Sequence, residues 1–68
     1  MTLGERICMA RRRKGLTQLE LAEKCDLTPV VISRYERDVR EPTLFNATTL
    51  SIVLDVSLDW LVGKEDNI

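Results

Sequence analysis

Two helix-sized segments joined by only three residues lie in the first half of this chain. They occupy the stretch from Leu16 to Arg37, and their connection is Cys25-Asp26-Leu27. A connection this short keeps the two helices in contact at a sharp corner, as in a helical hairpin or a helix-turn-helix. The rest of the chain must pack around this corner, which therefore constrains the fold more than any other feature.

Cap residues predict that the whole chain is helical. Five segments each begin with a residue that can cap a helix, and these residues are Thr2, Thr17, Thr28, Thr43 and Ser57. Glutamate follows the first two by three positions, which is the pattern of a capping box. Pro29 follows the third at the first helical position, where its missing N–H costs nothing. Gly15, Asp26 and Gly63 are placed to end helices. The sequence predicts one all-α domain over residues 1–68, a compact five-helix bundle.

Length, composition and cysteine content exclude several classes of protein. With 68 residues, of which 44% are hydrophobic, the chain can build one small core. No apolar run approaches the roughly 18 residues that span a bilayer, and the N-terminus lacks the apolar segment of a secretory signal. We therefore expect a cytoplasmic protein with no membrane partner. Cys8 and Cys25, in a chain without histidine, favour free thiols over a disulfide or a zinc site. No cofactor or small-molecule substrate is expected, and an enzyme has little support.

Charge is unevenly distributed along a chain whose net charge is −1. Residues 1–40 carry nine Lys and Arg and six Asp and Glu, a net of +3, whereas residues 41–68 carry one Lys and five Asp and Glu, a net of −4. A basic front and an acidic back are typical of a one-sided surface for nucleic acid. Ordinary surface charge is the alternative.

The spacing around the corner fits a helix-turn-helix, whose second helix enters the major groove of DNA. When Gln18 is counted as the first position, the fifth must be small because the helices cross there, and it is Ala22. The ninth needs a turn conformation and is Asp26, and the fifteenth is a buried branched aliphatic position and is Ile32. The other apolar positions hold Leu21, Leu27 and Tyr35. A generic helical hairpin would satisfy parts of this pattern by chance.

The segments "GLTQLELAEKCDLTPVVISRYERDVREP" and "VSLDWLVG" carry a wider similarity, which extends from residue 2 to residue 63. Through them the chain resembles the Xre/Cro-type helix-turn-helix family, the lambda-repressor-like DNA-binding domains. The resemblance implies a five-helix all-α domain that binds operator DNA, usually as a symmetric dimer, to regulate transcription. Asp26 and Asp38 stand where the family usually has glycine. Aspartate tolerates the left-handed conformation at a modest cost, so we expect the same fold. Asp38 also puts a negative charge near the expected phosphates and is expected to weaken binding slightly.

The third helix is expected to present one face to DNA. Its inward side should hold Val31, Ile32 and Tyr35. The outward residues match the base-reading positions of the family, and these are Pro29, Val30, Ser33 and Arg34. Arg34 can pair with a guanine edge through two hydrogen bonds, and Val30 can contact a thymine methyl group. The alternatives are a solvated or phosphate-bound arginine and a surface valine with no role.

Phosphate contacts and one structural ion pair follow from the same resemblance. The N-terminus of the second helix favours a phosphate, and the family uses a glutamine there that corresponds to Gln18. The remaining phosphate candidates are Thr28, Arg37 and Arg40. Residues 12–14, Arg-Arg-Lys, add long-range attraction or else complement the dipole of the first helix. The family pattern places Arg11 beside Glu36, as an ion pair that ties the first helix to the end of the third.

The fourth helix, which should run to about residue 54, is apolar on two sides. Its inward residues are predicted to be Leu44, Ala47, Leu50, Ser51 and Leu54. Phe45 and Ile52, with Thr49 between them, fall on the opposite side, where a half-covered helix should be polar. Either the fifth helix covers them, or a twofold partner does so with Trp60 and Val62 at the rim. We expect the second, a homodimer on a palindromic operator, with two copies of the third helix about 34–36 Å apart.

Two further functions remain as alternatives to a DNA-binding regulator. One is a protein-interaction module of the same fold that does not bind DNA, and the other is an antitoxin-type regulator that binds a partner protein. A missing basic face would favour the first, but the third helix and its end carry Arg34, Arg37 and Arg40. Double-stranded DNA is therefore the predicted partner.

Overall fold

Threonine and serine caps start the helices of this chain, as the sequence predicts. The computed structural model describes residues 1–66, and in that part of the chain five helices follow one another: α1 Leu3–Arg13, α2 Gln18–Cys25, α3 Pro29–Glu36, α4 Leu44–Leu54 and α5 Leu58–Leu61. Each cap side chain accepts a hydrogen bond from the amide three residues later, and both capping boxes are formed. The all-α, five-helix fold is confirmed. Residues 67 and 68 of the predicted domain lie outside the described residues.

Left-handed residues connect the helices. Asp26, with φ 57°, ends α2, which confirms the predicted turn conformation in the corner between α2 and α3. Asp38 has φ 59°, and Asp55, for which the sequence made no such prediction, ends α4 with φ 56°. Residues other than glycine, asparagine and aspartate rarely adopt this backbone conformation.

The core lies where the helices meet around the corner. The fully buried large side chains are Ile7, Leu21, Ile32, Leu50, Leu54 and Leu61. Helix α3 packs against both α1 and α2, and α4 packs against α2 and α5. Ala22 and Ile32, the small and the branched positions of the helix-turn-helix pattern, are both 0% exposed. The corner therefore has the steric form that the sequence predicts.

A glycine in the first turn of α1 lets that helix approach the end of α3. A Cβ atom on Gly4 would lie 2.6 Å from the carbonyl oxygen of Glu36 and 2.8 Å from Oδ1 of Asp38, and closer still to the carbonyl oxygen of Tyr35. Real Cβ atoms do not come this close to backbone oxygens. The sequence around Gly4 does not indicate this role, because the close approach joins segments far apart in the chain.

Two predicted positions in the C-terminal third are wrong. Leu44 is predicted to lie in the core but is 76% exposed, because it begins α4 and lies at the edge of a groove between that helix start and α5. Trp60 is predicted to lie at the rim of a dimer interface but is 2% exposed. The guanidinium of Arg6 lies 5.0 Å from the centroid of its ring, and Nη1 of Arg6 donates to the Trp60 carbonyl at 2.9 Å. This contact with α1 turns the tryptophan inward.

The second apolar side of α4 stays uncovered within residues 1–66. Phe45 is 79% exposed and Ile52 is 73% exposed, because α5 packs on a different side of α4. The alternative in which the fifth helix covers them is therefore not realised in this part of the chain. Val62, which lines the groove between the start of α4 and α5, is 46% exposed.

The cysteines and the helix lengths can be compared with the sequence predictions over residues 1–66. Cys8 and Cys25 are free thiols, as predicted, and burial raises the pKa of Cys25. No helix among the described residues has the length and apolar character to cross a membrane. Nor does any cluster of three or more His, Cys, Asp or Glu side chains in that range suit a metal ion.

Candidate nucleic-acid interface

One face of α3 projects from the molecule while the other completes the core. Ile32 and Tyr35 are buried, and Val31 is half-buried against the core cluster. The predicted base-reading residues share the opposite face, where three are exposed and Ser33 is half-buried; they are Pro29, Val30, Ser33 and Arg34. Val30 is 57% exposed. The structure thus brings these four residues together on one helix surface.

Polar groups flank this surface on both sides. Thr28 caps α3, and its hydroxyl accepts from the Val31 amide at 3.3 Å, which leaves the hydroxyl hydrogen to donate elsewhere. Arg37 and Arg40 follow α3 and are exposed, and Nε of Arg37 donates to Ser33 Oγ at 3.3 Å. Gln18 is the first residue of α2, where backbone N–H groups have no acceptor within the helix.

A hydrogen-bonded network ties three helices together behind this face. Nε of Arg11 lies 2.6 Å from Oε2 of Glu36, and Nη2 of Arg11 donates to Oε1 at 3.1 Å, so the pair is bidentate and the predicted ion pair is confirmed. Arg11 also donates through Nη1 to the Leu16 carbonyl at 2.8 Å. Nε2 of Gln18 donates to Oε1 of Glu36 at 3.0 Å, a bond that the sequence did not predict.

The network favours the ionised forms of Glu36 and Arg11. Burial raises the pKa of Glu36, but the hydrogen bonds from Arg11 and Gln18 and the positive charge of Arg11 together outweigh burial, so the net pKa lies below its ordinary value. The hydrogen bond to Glu36 raises the pKa of Arg11. Because α1, the start of α2 and the end of α3 share one carboxylate, the network fixes Gln18 relative to the exposed face of α3.

The carboxylate of Asp38 faces α1. Its Oδ1 accepts from the Gly4 amide at 2.9 Å, and its Oδ2 accepts from the Thr2 hydroxyl at 2.5 Å. The negative charge of Asp38 thus lies at the positive end of α1, and the expected slight weakening of DNA binding stays a prediction. No signal within the sequence near Asp38 indicates this partner.

Three exposed basic residues follow one another at the end of α1. Arg12, Arg13 and Lys14 are exposed, and the last turn of α1 carries the first two of them. Nζ of Lys14 lies 3.8 Å from the carboxylate of Asp55. These positions fit complementation of the α1 dipole.

Comparison with known proteins connects this geometry to a family. The model of the helix-turn-helix family matches residues 9–61. The transcriptional regulator ImmR of Bacillus subtilis strain 168 is 42% identical over 66 residues, which cover 97% of this chain and 52% of ImmR. The chain thus spans about half the length of the curated relatives that it matches.

Solved structures show the same fold bound to DNA. The P22 c2 repressor in complex with a synthetic operator superposes with a TM-score of 0.91 and 32% identity, over 96% of this chain and 98% of that one. SinR, described as the master regulator for biofilm formation, in complex with DNA gives a TM-score of 0.83 and 36% identity, over 88% and 97% of the two chains. Regulators and repressors, not enzymes, make up these matches, and the chain belongs to the Xre/Cro-type helix-turn-helix family, the lambda-repressor-like DNA-binding domains.

Proposed function

We propose that this chain is a sequence-specific, double-stranded DNA-binding transcriptional regulator that inserts α3 into the major groove of its operator. The observation that supports this most is the division of α3 into a buried face and an exposed face that holds Val30 and Arg34. An isolated α-helix fits the width of the major groove. The relatives that share the fold include a repressor solved with its synthetic operator.

Base recognition rests on two chemically different side chains. Arg34 is exposed in the last turn of α3, and its guanidinium matches the two acceptors of a guanine edge. Val30 lies one helical turn earlier and exposes an apolar side chain. Contact with a thymine methyl group would remove this side chain from water. Pro29 and Ser33 complete the surface that meets the base edges.

Phosphate contacts fix the register of α3 without reading sequence. Gln18 offers its backbone amide in the first turn of α2, outside the capping box of Thr17 and Glu20, and its side chain donates to Glu36. The hydroxyl hydrogen of Thr28 and the guanidinium groups of Arg37 and Arg40 supply the remaining contacts. These groups lie at both ends of α3, so they hold the helix along the groove.

We further propose that the regulator is a homodimer that meets its copy through α4. Leu44, Phe45 and Ile52 are each at least 73% exposed and apolar, with the half-buried Thr49 between them and Val62 at the rim. No charged residue occurs between positions 44 and 54, so two copies of this helix can meet without repulsion between like charges. A twofold dimer requires a roughly palindromic operator.

The same exposed side of α4 favours a second candidate, a regulator that binds a partner protein. One solved relative is a complex of SinR with SinI, so a protein of this family does have a protein partner. The oligomeric state of the purified chain distinguishes self-association from partner binding. A homodimer forms from the purified chain alone, whereas a partner-binding module stays monomeric without its partner.

Direct binding to DNA tests the proposed function. Wild type and Arg34→Ala are titrated against random-sequence duplexes and against a site selected from them, at one stated salt concentration. We expect wild type to prefer its selected site by at least about 1000-fold, the lower end for specific binders of this kind. Replacing one thymine at a time by uracil, which lacks the methyl group, should weaken binding where Val30 lies. Equal affinity of wild type for all duplexes would contradict the proposal.

A further inference from the structure

The segment between α3 and α4 carries two of the proposed phosphate-binding residues on an exposed loop. Residues 37–41 are all exposed, and they include Arg37 and Arg40. The backbone amides of Val39 and Arg40 donate to the carbonyl of Arg34 at 3.0 and 3.3 Å, so the loop folds back on the end of its own helix. Side-chain hydrogen bonds connect this loop to the start of α1.

Asp38 supplies that connection from the middle of the loop. Its two carboxylate oxygens accept hydrogen bonds from the Gly4 amide and the Thr2 hydroxyl, which are 34 and 36 positions away in the sequence. The Gly4 amide belongs to the first turn of α1 and has no acceptor within that helix. Because Gly4 has no Cβ atom, the carboxylate can approach its amide closely.

The backbone of Asp38 lies in the left-handed region, where glycine would be free of steric cost. Its φ is 59°, a conformation that glycine adopts without steric cost and that a residue with a Cβ adopts at some cost. Compared with glycine, an aspartate here also adds one negative charge to the surface proposed to meet DNA. The first effect acts against folding and the second against binding, whereas the two hydrogen bonds of the carboxylate are ones that glycine could not make.

We propose that Asp38 is a positioning residue for DNA binding, which fixes the loop after α3 to the N-terminus of α1 and so places Arg37 and Arg40 against the phosphates. This inference rests on the proposed function, because it needs those two arginines to meet phosphate. The positive end of α1 offsets the negative charge of the carboxylate. The charge alone and the positioning role predict opposite effects of removing the side chain.

Two variants separate these effects. Asp38→Gly keeps the left-handed backbone but removes both hydrogen bonds and the charge. Asp38→Asn removes the charge but keeps the conformation and an amide oxygen that can accept from Gly4. Affinity is measured on the selected site and on a random duplex, from about 50 mM to about 200 mM salt, and the number of phosphates that the protein neutralises follows from the slope of log K against log salt concentration.

Positioning predicts that Asp38→Gly binds both duplexes about tenfold more weakly, the equivalent of about 1.4 kcal/mol. Its salt slope should fall by about 1 for each phosphate that the variant no longer binds. Asp38→Asn should bind within about twofold of wild type or more tightly, because the removed charge is partly screened. Hydrogen exchange at the Gly4 amide should speed up in Asp38→Gly and stay slow in Asp38→Asn.

Several outcomes would overturn the inference. Tighter binding by both variants would show that Asp38 acts through its charge. A weaker Asp38→Gly with an unchanged salt slope would show a loss of folding stability, not of positioning. If wild type binds no duplex, the proposed function fails and the positioning role fails with it. If wild type binds and Asp38→Gly binds equally well, the positioning role alone fails.

Discussion

Gln18 has two roles in this structure, at the start of α2 and in the network around Glu36. One hydrogen of its side-chain amide is donated to Glu36, so the proposed contact with phosphate relies on the second N–H hydrogen of the side chain and on the backbone amide at the start of α2. Gln18→Ala should therefore weaken binding to all duplexes alike, because phosphate contacts position the protein without specifying sequence. The preferred sequence, measured by competition between sites, should stay the same. A changed preference would show that Gln18 reads bases.

Glu36 gives the folded state a dependence on pH. Its pKa is lower in the folded chain than in the unfolded chain, where the pKa of a glutamate carboxyl group is about 4.3. The ionised carboxylate thus stabilises the fold above that value, and this stabilisation is lost as the pH falls through the lower, folded pKa. Urea unfolding of wild type and Glu36→Gln should differ by about 1.5–3 kcal/mol near neutral pH, the usual range for hydrogen bonds to charged groups.

The difference between wild type and Glu36→Gln should shrink as the pH falls from about 6 to about 3, because wild type also loses its carboxylate charge. Glu23→Gln is the matched control, since Glu23 is exposed on α2 and outside the network. A difference that stays constant over this pH range would show that the ion pair with Arg11 does not stabilise the fold.

At the scale of helices, the crossing of α1 and α3 depends on one missing methyl group. Alanine normally stabilises a helix interior by up to about 1 kcal/mol relative to glycine. At position 4 the added Cβ would meet backbone oxygens of α3, which cannot move aside like a flexible side chain. Gly4→Ala should therefore destabilise the fold by about 1–3 kcal/mol, as overpacking does.

Thr48→Ala is the control for helix propensity, because Thr48 is exposed within α4. It should be neutral or stabilise the fold by a few tenths of a kcal/mol, up to about 0.7. Thermal unfolding of both variants measures the contrast. If Gly4→Ala is as stable as wild type, the helices are not in the close contact described.

Helix starts were predictable from sequence, because a cap acts on amides within one turn of itself. The turn at Asp26 and the buried face of α3 were predictable for the same reason, as local spacing sets them. The inward position of Trp60 and the bonds of Asp38 were not, since they depend on partners 54 and 34 residues away. Leu44 has the angle of a core residue, but nothing in its own helix indicates that the first turn of α4 lies beyond the cover of its neighbours.

At the scale of the whole molecule, the proposed dimer would determine how two copies of α3 meet DNA. The exposed apolar side of α4 should bury Phe45 and Ile52 against a second copy. Phe45→Glu and Ile52→Lys should each reduce self-association in sedimentation and cooperativity on a palindromic site, because a charge would then be buried without a partner. Met9→Glu is the matched control, since Met9 is an exposed apolar residue on α1.

Equal association and equal cooperativity of wild type and both α4 variants, with helicity unchanged, would show that α4 is not the interface. Association of wild type in the absence of DNA, lost in both α4 variants and kept in Met9→Glu, would support the proposed homodimer.

Selection of binding sites from random double-stranded DNA tests the central claim most directly. Wild type and Arg34→Ala are each taken through the same selection at one stated salt concentration. We predict that wild type enriches a roughly palindromic site whose half-sites are centred about 10 base pairs apart. Arg34→Ala should bind this site about 1–3 kcal/mol more weakly and lose its preference at one position in each half-site. An identical preferred site for both proteins, or no enriched sequence for wild type, would contradict recognition of DNA through α3.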